Sequence, residues 1–218
     1  MSLAIVYTRA ALGIEAPLIT VEVHLSNGLP GLTMVGLPET TVKEARDRVR
    51  SALINSGYAF PAKKITINLA PADLPKEGGR YDLPIALALL VASEQLNTTR
   101  LNQYEFVGEL ALTGGLRGVP GAIPSAMEAI KAGRRIVVSS DNAAEVGLIG
   151  GSDCLVADHL QEVCAFLAGQ TSLSPPLAEA PARDERYEDL LDVIGQQQGK
   201  RALEIVAAGG HNLLLIGP

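Results

Sequence analysis

KKITINLAPADLPKEGGRYDLPIALALLVA, residues 63–92, holds a strand, a broken loop and a buried helix in immediate succession. Ile65, Ile67 and Leu69 alternate with Thr66 and Asn68, the period of two that marks a half-buried strand. Pro71, Pro75, Gly78 and Gly79 then rule out regular structure. From Leu83 to Val91 the text is almost wholly apolar, long enough for a short core helix and too short to cross a bilayer. Asp82 is placed to cap this helix, and Pro84 falls in its first turn, where a missing N–H costs little. A polar loop delivered onto the start of a buried helix is a common way to present chemistry or to hold an anion. The charged residues of that loop, Lys76, Glu77, Arg80 and Asp82, are therefore the first functional candidates.

The totals bound the answer. The chain has 218 residues, a formal charge of -6 and 47% hydrophobic residues, enough for one sizeable core plus an appendage. Aromatic residues make up 4% and Trp is absent, which disfavours base stacking on single-stranded nucleic acid. Net acidity argues against a dedicated nucleic-acid domain but leaves room for a local basic face. Cys154 and Cys164 are the only cysteines, and both sit in apolar text, so core thiols in a reducing compartment are expected. The opening MSLAIVYTRAALG has no basic segment before its apolar residues, so no signal peptide is expected and the cytoplasm is the default location.

Upstream of the central stretch, Leu3 to Tyr7, Leu18 to Leu25 and Leu32 to Val35 read as strands, with Asn27-Gly28 as a turn. Thr41 to Asn55 reads as a helix. Thr41 and Glu44 have capping-box spacing, and Val42, Ala45, Val49, Ala52 and Leu53 form its apolar stripe. Lys43, Arg46, Arg48 and Arg50 occupy the other faces, a wet basic surface or a salt-dependent phosphate contact. Downstream, Tyr104 to Thr113 is expected as one strand, turning at Gly114-Gly115 and returning through Leu116 to Val119. Pro124 opens a helix that stops at Gly133. Arg135 to Ser139 is a strand, Asp141 caps a short helix to Val146, Cys154 to Ala157 is a last strand, and His159 to Leu167 a last helix. This alternation implies parallel pairing and a mixed α/β sheet. His24, His159 and His211 lie on separate elements without metal-ligand spacing, so no metal site is expected.

Composition changes at GQTSLSPPLAEAPAR, which reads as a linker. The expected organisation is a domain at 1–168, a linker at 169–186 and a second module from 187 to 218. In that module a helix from Gln197 to Ala208 precedes a strand at Leu213 to Ile216, followed by Gly217 and Pro218. Strand plus Gly-Pro is how a phosphate-binding loop often begins, although Lys-Ser/Thr does not follow.

DLLDVIGQQQGKRALEIVAAGGHNLLLIGP resembles the entry to the ATPase module of the magnesium-chelatase-like branch of AAA+ proteins. The resemblance implies that Val193, Ile194, Gly195 and Gln196 lie near the adenine of ATP, and that Gly217 and Pro218 begin the Walker A loop. ATP and Mg2+ are then expected for the full-length protein and not for this fragment, which lacks the Walker A lysine, the Walker B acid and the arginine finger.

Residues up to about 168 resemble the N-terminal domain of the same proteins, the ComM/YifB family. The passages that carry this are GLPETTVKEARDRVRSAL, PADLPKEGGRYDLPIALALL and FVGELALTGGLRGVPG. The family domain is similar to the proteolytic domain of Lon, with the ribosomal protein S5 domain 2-like fold, and to the C-terminal domain of RadA. Lon uses a Ser-Lys dyad, in which the lysine must be close and desolvated enough to act as base. By this resemblance the nucleophile position falls on or beside Arg80, and the lysine position near Pro124. No Ser, Thr or Cys lies between Pro71 and Val91. A guanidinium stays protonated and proline has no base, so no peptidase activity is expected. Lys76, Arg80 and Arg117 become candidates for a DNA or subunit contact in a hexameric ring, against the plainer reading of a solvated, locally ion-paired turn. The resemblance implies an ATP-driven motor acting on DNA, of the kind that drives branch migration in natural transformation, with no membrane partner. An ATP-dependent serine protease and a magnesium chelatase subunit are the alternatives.

Overall fold

A computed structural model describes residues 2–36, 44–149, 151–176 and 189–217. The chain divides into two compact units, Met1–Glu179 and Ala180–Pro218.

The first unit is built on a seven-stranded mixed sheet in the order β3-β4-β2-β1-β5-β8-β9. Strands β1 (Ser2–Arg9), β2 (Leu18–Ser26) and β4 (Lys64–Ala70) pair antiparallel, and β3 (Gly31–Val35) runs parallel to β4 on the edge. The alternation in the sequence is realised directly: Ile19, Val21, Val23 and Leu25 of β2 and Ile65, Ile67 and Leu69 of β4 are all buried. In the second half, β5 (Tyr104–Phe106), β8 (Arg135–Ser139) and β9 (Cys154–Ala157) are parallel, as the strand–helix alternation implied.

Helix α1 (Ala45–Asn55) buries Ala45, Val49, Ala52 and Leu53, the described part of the expected stripe. Thr41, Val42 and Lys43, which carry the expected capping box and the start of that helix, lie outside the described residues. Helix α2 (Asp82–Ala92) is apolar on every side and packs against β1, β2 and α1, with only Val91 among its residues partly exposed. A helix with no polar face belongs inside a core, and α2 is that core's axis. A second apolar cluster, including Val107, Ala122, Ala126, Ile136, Val138 and Val146, lies among α3 (Ala122–Lys131), α4 (Ala143–Gly147) and β8.

Several local expectations are corrected. Asp82 does not cap α2. A 3-10 turn at Gly79–Tyr81 leads into the helix, and the Asp82 carboxylate is drawn to α1 instead. The stretch 104–113 is not one strand. It leaves the sheet after Phe106 and forms a separate hairpin, β6 (Glu109–Leu110) with β7 (Leu116–Arg117). The cause is Gly108, whose amide donates to the Arg80 carbonyl and whose own carbonyl accepts from Leu83, so the chain is tied to the start of α2 rather than to β8. Ser139, not Asp141, caps the turn before α4, and the Asp141 carboxylate accepts from the Gly118 amide. Helix α5 (Leu160–Leu167) begins one residue late because His159 is its cap, accepting from the Gln161 amide through Nδ1. Of the expected linker, residues 169–176 are described. Leu173 packs on the core, and the Ser174 carbonyl accepts from Val156 of β9. The rest, from 177 to 186, lies outside the described residues.

In the second unit, Asp189 and Asp192 form a capping box around a 3-10 turn at Leu190–Asp192, and α6 (Gln197–Gly209) follows. The expected strand at Leu213 to Ile216 is not formed, and its side chains are exposed. A strand needs a neighbour for its N–H and C=O groups, and no described residue offers one.

Candidate functional site

The loop between β4 and α2 and the segment between β7 and α3 enclose a cleft of about 430 Å3. Glu77, Gly78, Gly79 and Arg80 line one wall, and Gly118, Val119, Pro120 and Gly121 the other. The geometry begins at Gly79. A Cβ there would sit 2.3 Å from Oε2 of Glu109, so a larger residue would require the Glu109 side chain to move away from the loop. Gly121 has a φ of 75°, which favours glycine, and turns the far wall into α3.

Arg80 crosses this cleft. It is 4% exposed, and its Nη2 donates to the Pro120 carbonyl. Its Nη1 is buried without a hydrogen-bond partner. Burial holds the Arg80 pKa below its ordinary value, while remaining far from deprotonation at neutral pH. Lys76 is 0% exposed, its ammonium donates to the Pro71 carbonyl, and burial lowers its pKa too, opposed by the charge of Asp73. Tyr81 is buried beside them with its hydroxyl unpartnered, and burial pushes its pKa up to about 12. The solvated-turn expectation is thereby overturned for Lys76, Arg80 and Asp82. Long aliphatic stems follow apolar surface readily, and here backbone carbonyls receive the charged heads.

Asp82 is the anchor below. Arg48 of α1 donates to it through Nε at 2.7 Å and Nη2 at 3.1 Å, and the Leu110 amide at 3.2 Å. The two partners report the contact differently. The hydrogen bond to Asp82 raises the Arg48 pKa, whereas burial pushes Asp82 up to about 6 despite the help of Arg48 and Leu110. Both follow from one geometry: the fork is good and the carboxylate is dry. Arg117, the third candidate, is different. Its side chain is 63% exposed and lies 3.4 Å from Glu109 at the cleft rim.

No described hydroxyl faces an amine in this cleft. Ser125, one turn into α3, is buried and donates to the Gly121 carbonyl at 2.8 Å. Helix α3 starts at Ala122, two residues before the expected start at Pro124, which falls in its first turn. Among the described residues no group of three or more His, Cys, Asp or Glu is placed to hold a metal, and no helix is long and apolar enough to cross a membrane.

A site that sequence reasoning missed lies where β1 and β5 pair within the sheet. Glu105 of β5 is 0% exposed and takes charge-assisted bonds from Arg9 at 2.6 and 2.8 Å and from Arg134 at 2.9 Å. Arg134 also lies over the Tyr7 ring, 4.7 Å from its centroid. Nothing in the local text marked Glu105, because its partners are distant in sequence. The cluster fastens β1, β5 and the end of α3 together, with Glu105 itself buried and the Arg134 side chain 20% exposed.

In the second unit, Val193 and Ile194 are exposed, and Gly195 and Gln196 have φ values of 76° and 52°. The backbone thus turns sharply into α6 with two apolar side chains exposed. Gly217 is exposed and Pro218 lies outside the described residues. No described residue here supplies a cation for a phosphate chain beyond Lys200 and Arg201 of α6, and Arg201 is engaged with Glu204.

Comparison with known proteins gives two family matches: subunit ChlI of Mg-chelatase over residues 21–142, and magnesium chelatase, subunit ChlI, over residues 189–218. The whole chain is 76% identical to the uncharacterized protein YifB of Salmonella typhimurium and 74% identical to YifB of Escherichia coli. It is 56% identical to the competence protein ComM of Haemophilus influenzae. It spans 43% of the length of the two YifB proteins and 44% of ComM, less than half of each.

Proposed function

Because the chain belongs to the Mg-chelatase subunit ChlI family, in its YifB and ComM branch, we propose that it is the N-terminal part of an AAA+ ATPase that works on DNA. Its first unit is a Lon-like scaffold without peptidase chemistry of its own. The observation that carries this is Arg80. A cleft of protease shape would need a hydroxyl and a desolvated amine at hydrogen-bond distance. Here the centre holds a guanidinium tied to Pro120, and the nearest desolvated amine, Lys76, is tied to Pro71. The guanidinium stays protonated, the Lys76 ammonium is engaged by Pro71, and Ser125 has its hydroxyl committed to Gly121.

The second unit fits the adenine side of a nucleotide site through Val193, Ile194, Gly195 and Gln196. When bound, ATP with Mg2+ would supply the driving force, and these residues would hold its base by apolar contact. Hexamer assembly and helicase-like branch migration extend the same reading to the full-length protein. Of the three cationic candidates, Arg117 reaches solvent as it stands. A DNA or subunit contact through Lys76 or Arg80 requires the 75–82 loop to open first.

The test is a pair of assays on the full-length protein. Casein hydrolysis and labelling by a serine-reactive phosphonate are expected to be blank, and DNA is expected to stimulate ATP hydrolysis. Stoichiometric labelling of a single serine would return the protease reading. ATP hydrolysis indifferent to DNA would remove the motor reading instead.

A further inference from the structure

A second, smaller concavity of about 190 Å3 lies where α1 meets the start of β4 and the turn into β3. Pro30, Gly31, Arg46, Arg50, Phe60 and Lys63 are among its lining residues. Arg46 and Arg50 stand one helical turn apart on α1, so their like charges repel along the helix. None of the described lining residues is acidic. Among the described residues, the only carboxylate paired with Arg46 is its chain neighbour Asp47, at 4.0 Å and itself largely exposed. Arg50 lies over the Phe60 ring, 5.2 Å from its centroid, which fixes the guanidinium while leaving its N–H donors available. Neither Arg50 nor Lys63 has an ion pair or a side-chain hydrogen bond within the described structure. Three cations from two elements therefore converge in a chain whose formal charge is -6.

We propose that this pocket is a sequence-independent site for the phosphate backbone of a nucleic acid. The proposal rests on the DNA reading above and gives it a place. The volume is below the range of about 300–1,000 Å3 usual for a small-molecule pocket, so the occupant is a small group carried on a larger chain. A single carboxylate of an acidic peptide would be satisfied by one arginine fork, whereas three cations on one rim match successive phosphates. Phe60 is already covered by Arg50, so no aromatic face is offered to a base. Contact with the backbone alone follows.

Arg46→Ala, Arg50→Ala and Lys63→Ala are combined in the full-length protein, with Arg46→Lys and Arg50→Lys as a charge-keeping control. Binding of oligothymidine is followed by fluorescence anisotropy across a range of salt. The slope of log affinity against log salt is expected to shrink by about 2, since each single-strand phosphate contact contributes about 0.7. Affinity at low salt should fall roughly tenfold or more, and the Lys control should keep most of the slope. Because all three side chains are exposed, the melting temperature of the triple variant should hold. Wild-type binding with an unchanged slope in the variant overturns the pocket and leaves the DNA reading standing. No binding by wild type overturns both. Loss of self-association with an unchanged slope would make this face a protein contact, and the proposal fails.

Discussion

Replacing Arg80 with methionine tests whether the centre of the cleft is held by charge or by bulk. Two terms oppose each other. The Nη2 bond to the Pro120 carbonyl is charge-assisted and worth about 1.5–3 kcal/mol. Pro120 is exposed, so water can take over its carbonyl and the loss sits at the low end. Against it, the variant removes a buried Nη1 that has no partner, a relief of about 1–3 kcal/mol. Methionine keeps most of the aliphatic volume of the 4% exposed side chain. The terms cancel to within about 1 kcal/mol. Arg80→Ala keeps the electrostatic relief but opens a void, and should cost about 2–5 kcal/mol, as buried long-chain-to-alanine changes do. Urea unfolding of the 218-residue chain, followed by far-ultraviolet circular dichroism, reads both variants. A loss above about 3 kcal/mol for Arg80→Met would mean that the guanidinium is fully satisfied and that the cleft is built around its charge. The account in which bulk rather than charge holds the centre would then be wrong.

Two further substitutions examine buried charges elsewhere in the first unit. Glu105→Ala strands Arg9 and Arg134 in a dry site and should cost about 3–5 kcal/mol, a fall in melting temperature of roughly 6–20 °C for a chain of this size. A drop equivalent to less than about 1 kcal/mol would refute the buried-network account. Asp82 makes a pH-dependent contribution with an unusual sign. Its folded pKa, about 6, lies above the unfolded value, so the stability it contributes is present below about pH 4 and is lost as pH rises through 6. The stability of wild type minus that of Asp82→Asn, from urea titrations at several pH values, should fall by up to about 3 kcal/mol between pH 4 and 6.5. A difference that grows with pH would show that the Arg48 fork outweighs burial.

Much of the first unit was legible because its signals are local. Alternation placed β2 and β4, the stripe of Ala45, Val49, Ala52 and Leu53 placed α1, and an unbroken apolar run placed α2 in the core. The failures share one cause, a partner supplied from far along the chain. Asp82 has the chemistry of a cap, and nothing in its neighbourhood shows that Arg48 will claim it. Tyr104 to Thr113 has the pattern of one long strand, and the break comes from a carbonyl at Arg80 that takes the Gly108 amide. Leu213 to Ile216 has strand composition but no described neighbour to pair with. The glycine-rich loop reads as wet throughout, and most of it is exposed, but Lys76 and Arg80 are buried because the Pro71 and Pro120 carbonyls receive their charged heads.

The same contrast separates the cations by role, which charge counting could not do. Arg46, Arg48 and Arg50 follow one another on α1 at intervals of two. At 100° per residue, the middle one points away from its two neighbours. Arg48 turns inward to Asp82 and helps set the start of α2. Arg46 and Arg50 stay together on the outer face with Lys63, without a facing acid among the described residues. Arg9, Arg80 and Lys76 are likewise taken up by buried carboxylate or carbonyl oxygens. Once those inward charges are set aside, Arg46, Arg50 and Lys63 remain as a group of exposed cations on one rim of α1. A chain that is acidic overall can therefore still carry a local surface that a polyanion would find.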